Sequence, residues 1–196
     1  MKLLWSLAIL CVLFGGYHWY SNREIARPPG VLAADEPQQG AITEPREIET
    51  KSYHLKPLAS FDITARVVSK ERYWLGRESD LSPVDLVLAW GPMSDENVLK
   101  HFTFSQGSRS YFWNAKTIPV PRGVVESHTA NMHMIPAGDE IASGLTSLRP
   151  GHIVRLKGYL IEVRSPEGWH WRSSLTRTDT GRGACEIVYV ESLEAN

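Results

Sequence analysis

Residues 152–190 read HIVRLKGYLIEVRSPEGWHWRSSLTRTDTGRGACEIVYV, and their patterning decides the fold class. Val154 and Leu156 keep one apolar phase. After Gly158 the phase shifts to Tyr159, Ile161 and Val163. Such alternation marks a strand with one buried face, and a glycine at a phase change marks a bulge or sharp bend. Ser165-Pro166-Glu167-Gly168 is a turn. Trp169 to Leu175 returns with Trp169 and Trp171 on one face. Thr178 to Gly183 turns again, and Ala184 to Val190 is a final apolar strand. A long bent strand in a three-strand meander predicts a small, strongly curved sheet: an OB-like barrel first, a β-sandwich second.

The chain before it agrees. Phe61, Ile63, Ala65 and Val67 alternate with polar residues, a half-buried strand, and Val84 to Trp90 is a short buried one. Ser94 reads as the N-cap of a short helix with Val98, Leu99 and Phe102 on one face. Ser110 to Trp113 is extended. Asp139 to Leu148 is a second short helix, stopped by Pro150-Gly151. The expected class is therefore mostly β with two short helices, over a domain 51–196.

Two segments precede that domain. Leu3 to Tyr20 reads LLWSLAILCVLFGGYHWY, eighteen residues. At about 1.5 Å each they reach roughly 27 Å, enough for a hydrocarbon core. Tyr17, Trp19 and Tyr20 suit the headgroup level. No small-x-small cleavage site follows, so residues 1–20 are expected to be a transmembrane signal-anchor. Lys2 on the short flank predicts an N-in orientation with 51–196 outside the cytoplasm. Residues 21–50 hold Pro28, Pro29, Pro37 and Pro45 and six acids against three Arg, and read as a flexible acidic linker.

Net charge is −1 over 196 residues, which gives no electrostatic support for nucleic-acid binding. Of the two cysteines, Cys11 sits in the apolar segment and Cys185 alone serves the domain, so no disulfide forms within it. No cofactor motif is present, and none is expected. No spacing matches a metal signature; Glu126, Asp139 or Cys185 would have to join the histidines by folding.

The polar stretch Glu126 to Ala137 reads as a functional loop, with His128, Asn131 and His133 as binding residues. Trp169 and Trp171 add an aromatic platform. Cys185 with His128 or His133, and with Arg177 and Arg182 near in sequence, forms a candidate thiol–imidazole set. In a membrane-tethered β domain, this His-before-Cys order over 125–190 resembles a sortase transpeptidase. The resemblance implies Cys185 as nucleophile, His128 or His133 as its partner and Arg182 as the cation. It departs from sortases in having Ala184 before the Cys and its last Arg ahead of it.

The leading expectation is a membrane-tethered, non-enzymatic binding or assembly module of the cell envelope. Its partners are the membrane, through residues 3–20, and a protein or envelope component, not nucleic acid. The alternative is a Cys/His thiol transpeptidase or hydrolase. The orientation has a direct check. A tag fused after Asn196 should be protease-accessible from the outer face of intact cells, and protection until lysis would reverse the assignment.

Overall fold

The computed structural model describes residues 2–43, 46–176 and 185–196. Strand accounts for 44% and helix for 23%, which makes the fold mostly β. Helix α1 spans Lys2–Asn22. Strands β1 (Gln38–Gly40) and β2 (Ile48–Thr50) lead into the long β3 (Tyr53–Arg72). Helix α2 (Arg77–Leu81) and β4 (Val84–Ala89) follow, then a tight turn Gly91–Ser94 and α3 (Glu96–Leu99). Strands β5 (Phe102–Gly107) and β6 (Ser110–Ala115) form a hairpin of their own. Helix α4 (Arg122–Ser127), β7 (Thr129–Pro136), α5 (Asp139–Ser147), β8 (Ile153–Arg164), β9 (His170–Arg172) and β10 (Glu186–Ala195) complete the chain.

The main sheet is ordered β1-β3-β4-β7-β10-β8-β9, with β2 on β3 and a further pairing of β3 with β8. It is partly ringed. Strands β7 and β10 run parallel, while β3–β4, β4–β7, β8–β10 and β3–β8 are antiparallel. The bend comes mainly from β3. Register shifts at Pro57–Ala59 and Val67–Ser69 let this 20-residue strand leave β8 and turn onto β4.

Period-two alternation then sorts side chains to two faces. One face of each strand fills the ring interior: Val84, Leu86 and Leu88 of β4, Met132 and Met134 of β7, Leu156 and Leu160 of β8, Val188 and Val190 of β10. Burying each such side chain is worth about 1.5–3 kcal/mol. The other face carries Asp85, Asn131, His133, Ile135 and Ile187. Beside them lies a second apolar group of Leu55, Leu81, Ile161, Val163 and Tyr189, packed by Trp169 and Trp171. A third group, with Met93, Leu99, Phe102 and Val125, lies under the hairpin, α3 and α4.

Several expectations are corrected. No helix among the described residues is long and apolar enough to cross a membrane, so a transmembrane helix over 3–20 is not supported. The stretch 126–137 is no loop. It is the end of α4 and the central strand β7, whose polar residues find partners on the outer face. Asp95, not Ser94, caps α3, its carboxylate accepting from the Asn97 amide at 2.8 Å. The second turn, with Arg182, lies outside the described residues.

The stretch read as a linker carries specific contacts. Ile25 N–H donates to Pro150 O at 2.8 Å, Gly30 N–H to Asp95 Oδ1 at 2.9 Å, and Gly91 N–H to Ala33 O at 2.7 Å. Trp90 Nε1 donates to Glu36 Oε2 at 2.9 Å. Residues 23–40 therefore lie along the domain as a strap.

Strand β8 runs unbroken through Gly158, with Leu156 and Leu160 on the same face, so the bulge expected there lies in its partner instead. The register shift falls in β10, between Val190 and Ser192, opposite Gly158 and Lys157. A Cβ on residue 158 would sit 1.8 Å from Tyr189 O, a backbone atom that cannot swing aside. Gly158→Ala should therefore cost about 1–3 kcal/mol. A urea midpoint equal to wild type would show that β10 has room to spare.

Candidate functional site

Strand register brings the candidate site together on the outer face. Asp85 of β4 lies directly across from His133 of β7, and Ile187 of β10 lies across from His133 on the other side. Cys185 is two residues before Ile187, so strand alternation brings its side chain to the same face. It sits at the mouth of β10, half-buried.

The resulting contacts form a relay. His133 Nδ1 is 2.9 Å from Asp85 Oδ2, and the Cys185 side chain lies close enough to the imidazole to help raise it. Asp85 has no solvent exposure. Its Oδ1 accepts from Arg109 Nη1 at 2.6 Å and from Ser82 Oγ at 3.4 Å. Asn131 Nδ2 lies 3.9 Å from Cys185 Sγ, while Asn131 Oδ1 accepts from Gln106 Nε2 at 2.8 Å. The backbone carbonyl of Arg109 accepts from Asn131 Nδ2 at 3.3 Å and from the Cys185 thiol at 3.7 Å.

Aromatic rings border this group. The Trp171 ring centroid is 4.8 Å from that of His133, Trp169 is 5.9 Å from Trp171, and Tyr53 is 6.0 Å from Trp169. The file thus runs from the surface to the imidazole. Strand β9 holds Trp171 there because the nearly buried Glu162 of β8 gathers its neighbours: His170 at 2.6 Å, Arg172 at 3.2 Å and Arg164 at 3.0 Å. Burial alone would raise the Glu162 carboxyl, but hydrogen bonds from Arg164 and His170 hold it below the ordinary value.

The electrostatics of His133 are governed by the same contacts. Burial pulls the imidazole down, but hydrogen bonds to Asp85 and Cys185 and their charges outweigh it and raise it to about 9. Burial, then the nearby Asp85 charge, pushes up the phenol of Tyr73, with Arg109 opposing.

Of the residues singled out in the sequence, the fold unites Cys185, His133, Asn131, Trp169 and Trp171. His128 goes elsewhere. It ends α4, with Nε2 3.0 Å from Glu36 Oε1 and its ring 6.3 Å from Trp90, and it belongs to the docking of the strap. Arg182 is outside the described residues. Asp85 and Arg109 were missed. Asp85 carried a signal, being the one acid in the apolar run from Val84 to Trp90. Arg109 carried none. Among the described residues, no group of three or more His, Cys, Asp or Glu is arranged to hold a metal ion.

Comparison with known proteins finds no matching family model, no matching curated protein and no matching solved structure.

A thiol held by an imidazole that is oriented by a buried carboxylate can deliver a nucleophilic sulfur and return a proton to a leaving group. The linkage of His133 to stability gives a test that needs no substrate. Its folded value, about 9, stands above the ordinary 6.5. The stabilisation is therefore fully present below about pH 6.5 and is lost as pH rises through about 9. The urea midpoint should fall over that window, and Asp85→Asn should remove most of the fall. Identical slopes in the two proteins would mean that Asp85 does not set the imidazole.

Proposed function

We propose that this protein is a membrane-associated thiol enzyme of the acyl-transfer class, a Cys/His transpeptidase or hydrolase. The observation that carries the reading is the row Asp85–His133–Cys185, in which Asp85 Oδ2 lies 2.9 Å from His133 Nδ1 and the Cys185 side chain lies beside the imidazole it helps to raise. Cys185 is the nucleophile, His133 the imidazolium that pairs with its sulfur and then serves as general acid, and Asp85 the group that orients the imidazole.

The step balances without a cofactor. The Cys185 sulfur, as the thiolate paired with the His133 imidazolium, attacks a substrate carbonyl carbon. A C–S bond forms, and the leaving amine or alcohol departs with the proton from His133. Water or an acceptor amine then attacks the thioester, gives its proton back through His133, and frees the thiol. The Asn131 amide, beside Cys185 Sγ, is the side-chain donor for the oxygen that gains charge. Disulfide exchange is disfavoured because the second cysteine, Cys11, belongs to α1.

Membrane association rests on α1. Trp5, Ile9, Leu10, Val12, Leu13 and Phe14 are all more than half exposed, a helix surface that gains free energy in lipid.

A second reading, a non-enzymatic envelope-binding module, is favoured by the strand order. The circuit β3-β4-β7-β10-β8-β3, with β7 and β10 parallel and α5 between β7 and β8, supports an OB-like arrangement. Such domains take extended ligands on the face of their second and third strands, here β4 and β7, and on flanking loops. The aromatic file from Tyr53 to Trp171 borders that face.

One experiment separates the two. In the full chain in detergent, iodoacetamide should alkylate Cys185 readily near neutral pH, with His133→Ala slowing it by at least about tenfold. Peptide mapping tells Cys185 from Cys11. In cells, Cys185→Ser should abolish complementation. A sluggish thiol, indifferent to His133, with a Cys185→Ser protein that complements fully, would leave the binding module as the function.

A further inference from the structure

The hairpin β5–β6 is not hydrogen-bonded into the main sheet, yet its tip reaches into the middle of the site. Gly107 pairs with Ser110, so the turn consists of Ser108 and Arg109 alone. Their φ values are +50° and +64°. That is the primed hairpin turn, and it suits Asn-Gly far better than two residues with side chains. A backbone cost is thus accepted at the point where one specific side chain, Arg109, enters the site.

Arg109 is held on several sides. Its guanidinium meets Asp85 Oδ1 at 2.6 Å and Ser79 Oγ at 3.2 Å, and lies 3.8 Å over the Tyr73 ring. Its amide N–H donates to the Tyr73 hydroxyl at 3.2 Å. Its carbonyl accepts from Asn131 and from the Cys185 thiol.

We infer that Arg109 is the positioning residue of the thiol site, and that the site is complete only while the β5–β6 tip is docked. This rests on the thiol reading above. Arg109 claims one oxygen of Asp85 and leaves the other for His133 Nδ1. The imidazole is then held in place beside the Cys185 side chain. At the same time the Arg109 carbonyl seats the thiol. Among the described residues, the charged and titratable groups facing His133 are Asp85 from β4, Cys185 at the mouth of β10 and, through Asp85, Arg109 from the hairpin. Tyr73 lies against Asp85 and Arg109, and Tyr111 and Glu186 lie near Cys185. Without Arg109 the group carries one more net negative charge. Every neighbouring proton then becomes harder to remove.

The test replaces the tip by the turn it would otherwise prefer. Ser108→Asn with Arg109→Gly keeps the hairpin and removes only the guanidinium and the backbone cost. The full chain in detergent should melt no more than a few degrees below wild type. Two readouts follow. The His133 imidazole, followed by NMR, should titrate about one pH unit higher than in wild type. The pH of half-maximal Cys185 alkylation by iodoacetamide should move up as well, with the rate near pH 6 falling several-fold. Arg109→Lys, which restores a cation, should bring both back toward wild type. An unmoved or lowered His133 titration overturns the assignment, and so does an unmoved alkylation profile on a reactive thiol. A wild-type thiol that never reacts instead sinks the thiol-enzyme reading, and the His133 titration then still decides the role of Arg109.

Discussion

A carboxylate without solvent contact sits between a guanidinium and an imidazole, and much of this molecule is arranged to permit it. An isolated buried carboxylate is strongly unfavourable, so Asp85 must be charge-balanced and hydrogen-bonded from more than one side. Arg109 supplies one side and His133 the other, with Ser82 completing Oδ1. These partners arrive from separate pieces of chain. His133 comes by strand register from β7, Ser82 from the end of α2, and Arg109 from a hairpin outside the main sheet. Removing any one leaves charge exposed to a low-dielectric interior. The outer face of β4 and β7 is therefore a committed polar site in a region whose neighbouring positions, Ile135, Ile187 and Leu81, are apolar.

The same cluster links packing to chemistry. Desolvation alone would make His133 a neutral, ordinary buried imidazole. The Asp85 charge and the Cys185 contact reverse that and keep it protonated well into the alkaline range. An imidazolium beside a thiol favours sulfur as an anion, which is how thiol enzymes obtain a nucleophile at neutral pH. Trp171, stacked near the imidazole and held by the Glu162 cluster, shields that charge pair from water on one side. The ring core on the opposite face keeps the strands in register. A slip of one residue would turn Asp85 and His133 into the core and Leu86 and Met134 outward.

A second polar network, far from the thiol in sequence, serves assembly. Glu36 meets Trp90 and His128, and Ser94 Oγ accepts from the amides of Leu32 and Ala33. These contacts lay residues 23–40 against the domain and bring the end of α1 to its flank, through Arg27 on Gly151 and Ile25 on Pro150. Arg66, almost wholly buried, pairs with Glu24 and Glu96 at the same junction. The apolar helix thus leaves the domain from a defined point.

What the sequence by itself determined is local. Alternation identified β8 and the middle of β3, because a half-buried strand must alternate whatever it packs against, and short continuous apolar runs identified β4 and most of β10. The phase change flagged Gly158, and the spacing of Ile141, Leu145 and Leu148 marked α5. Cys185, His133, Asn131, Trp169 and Trp171 were legible as chemistry-bearing residues. Their assembly was not. Strand β7 was hidden because its outer face is polar, Asn131 and His133 replacing the apolar residues that would have revealed a buried strand. Asp85 entered the site through a register with β7 that no local pattern specifies. Arg109 entered from a hairpin whose turn lacks the glycine that announces such turns. The choice between His128 and His133 as partner of Cys185 was likewise tertiary. Five positions apart, they are separated by the end of α4, which sends one to Glu36 and the other to the thiol. Local patterning reflects which face is buried, and long-range pairing alone decides which polar groups share that burial.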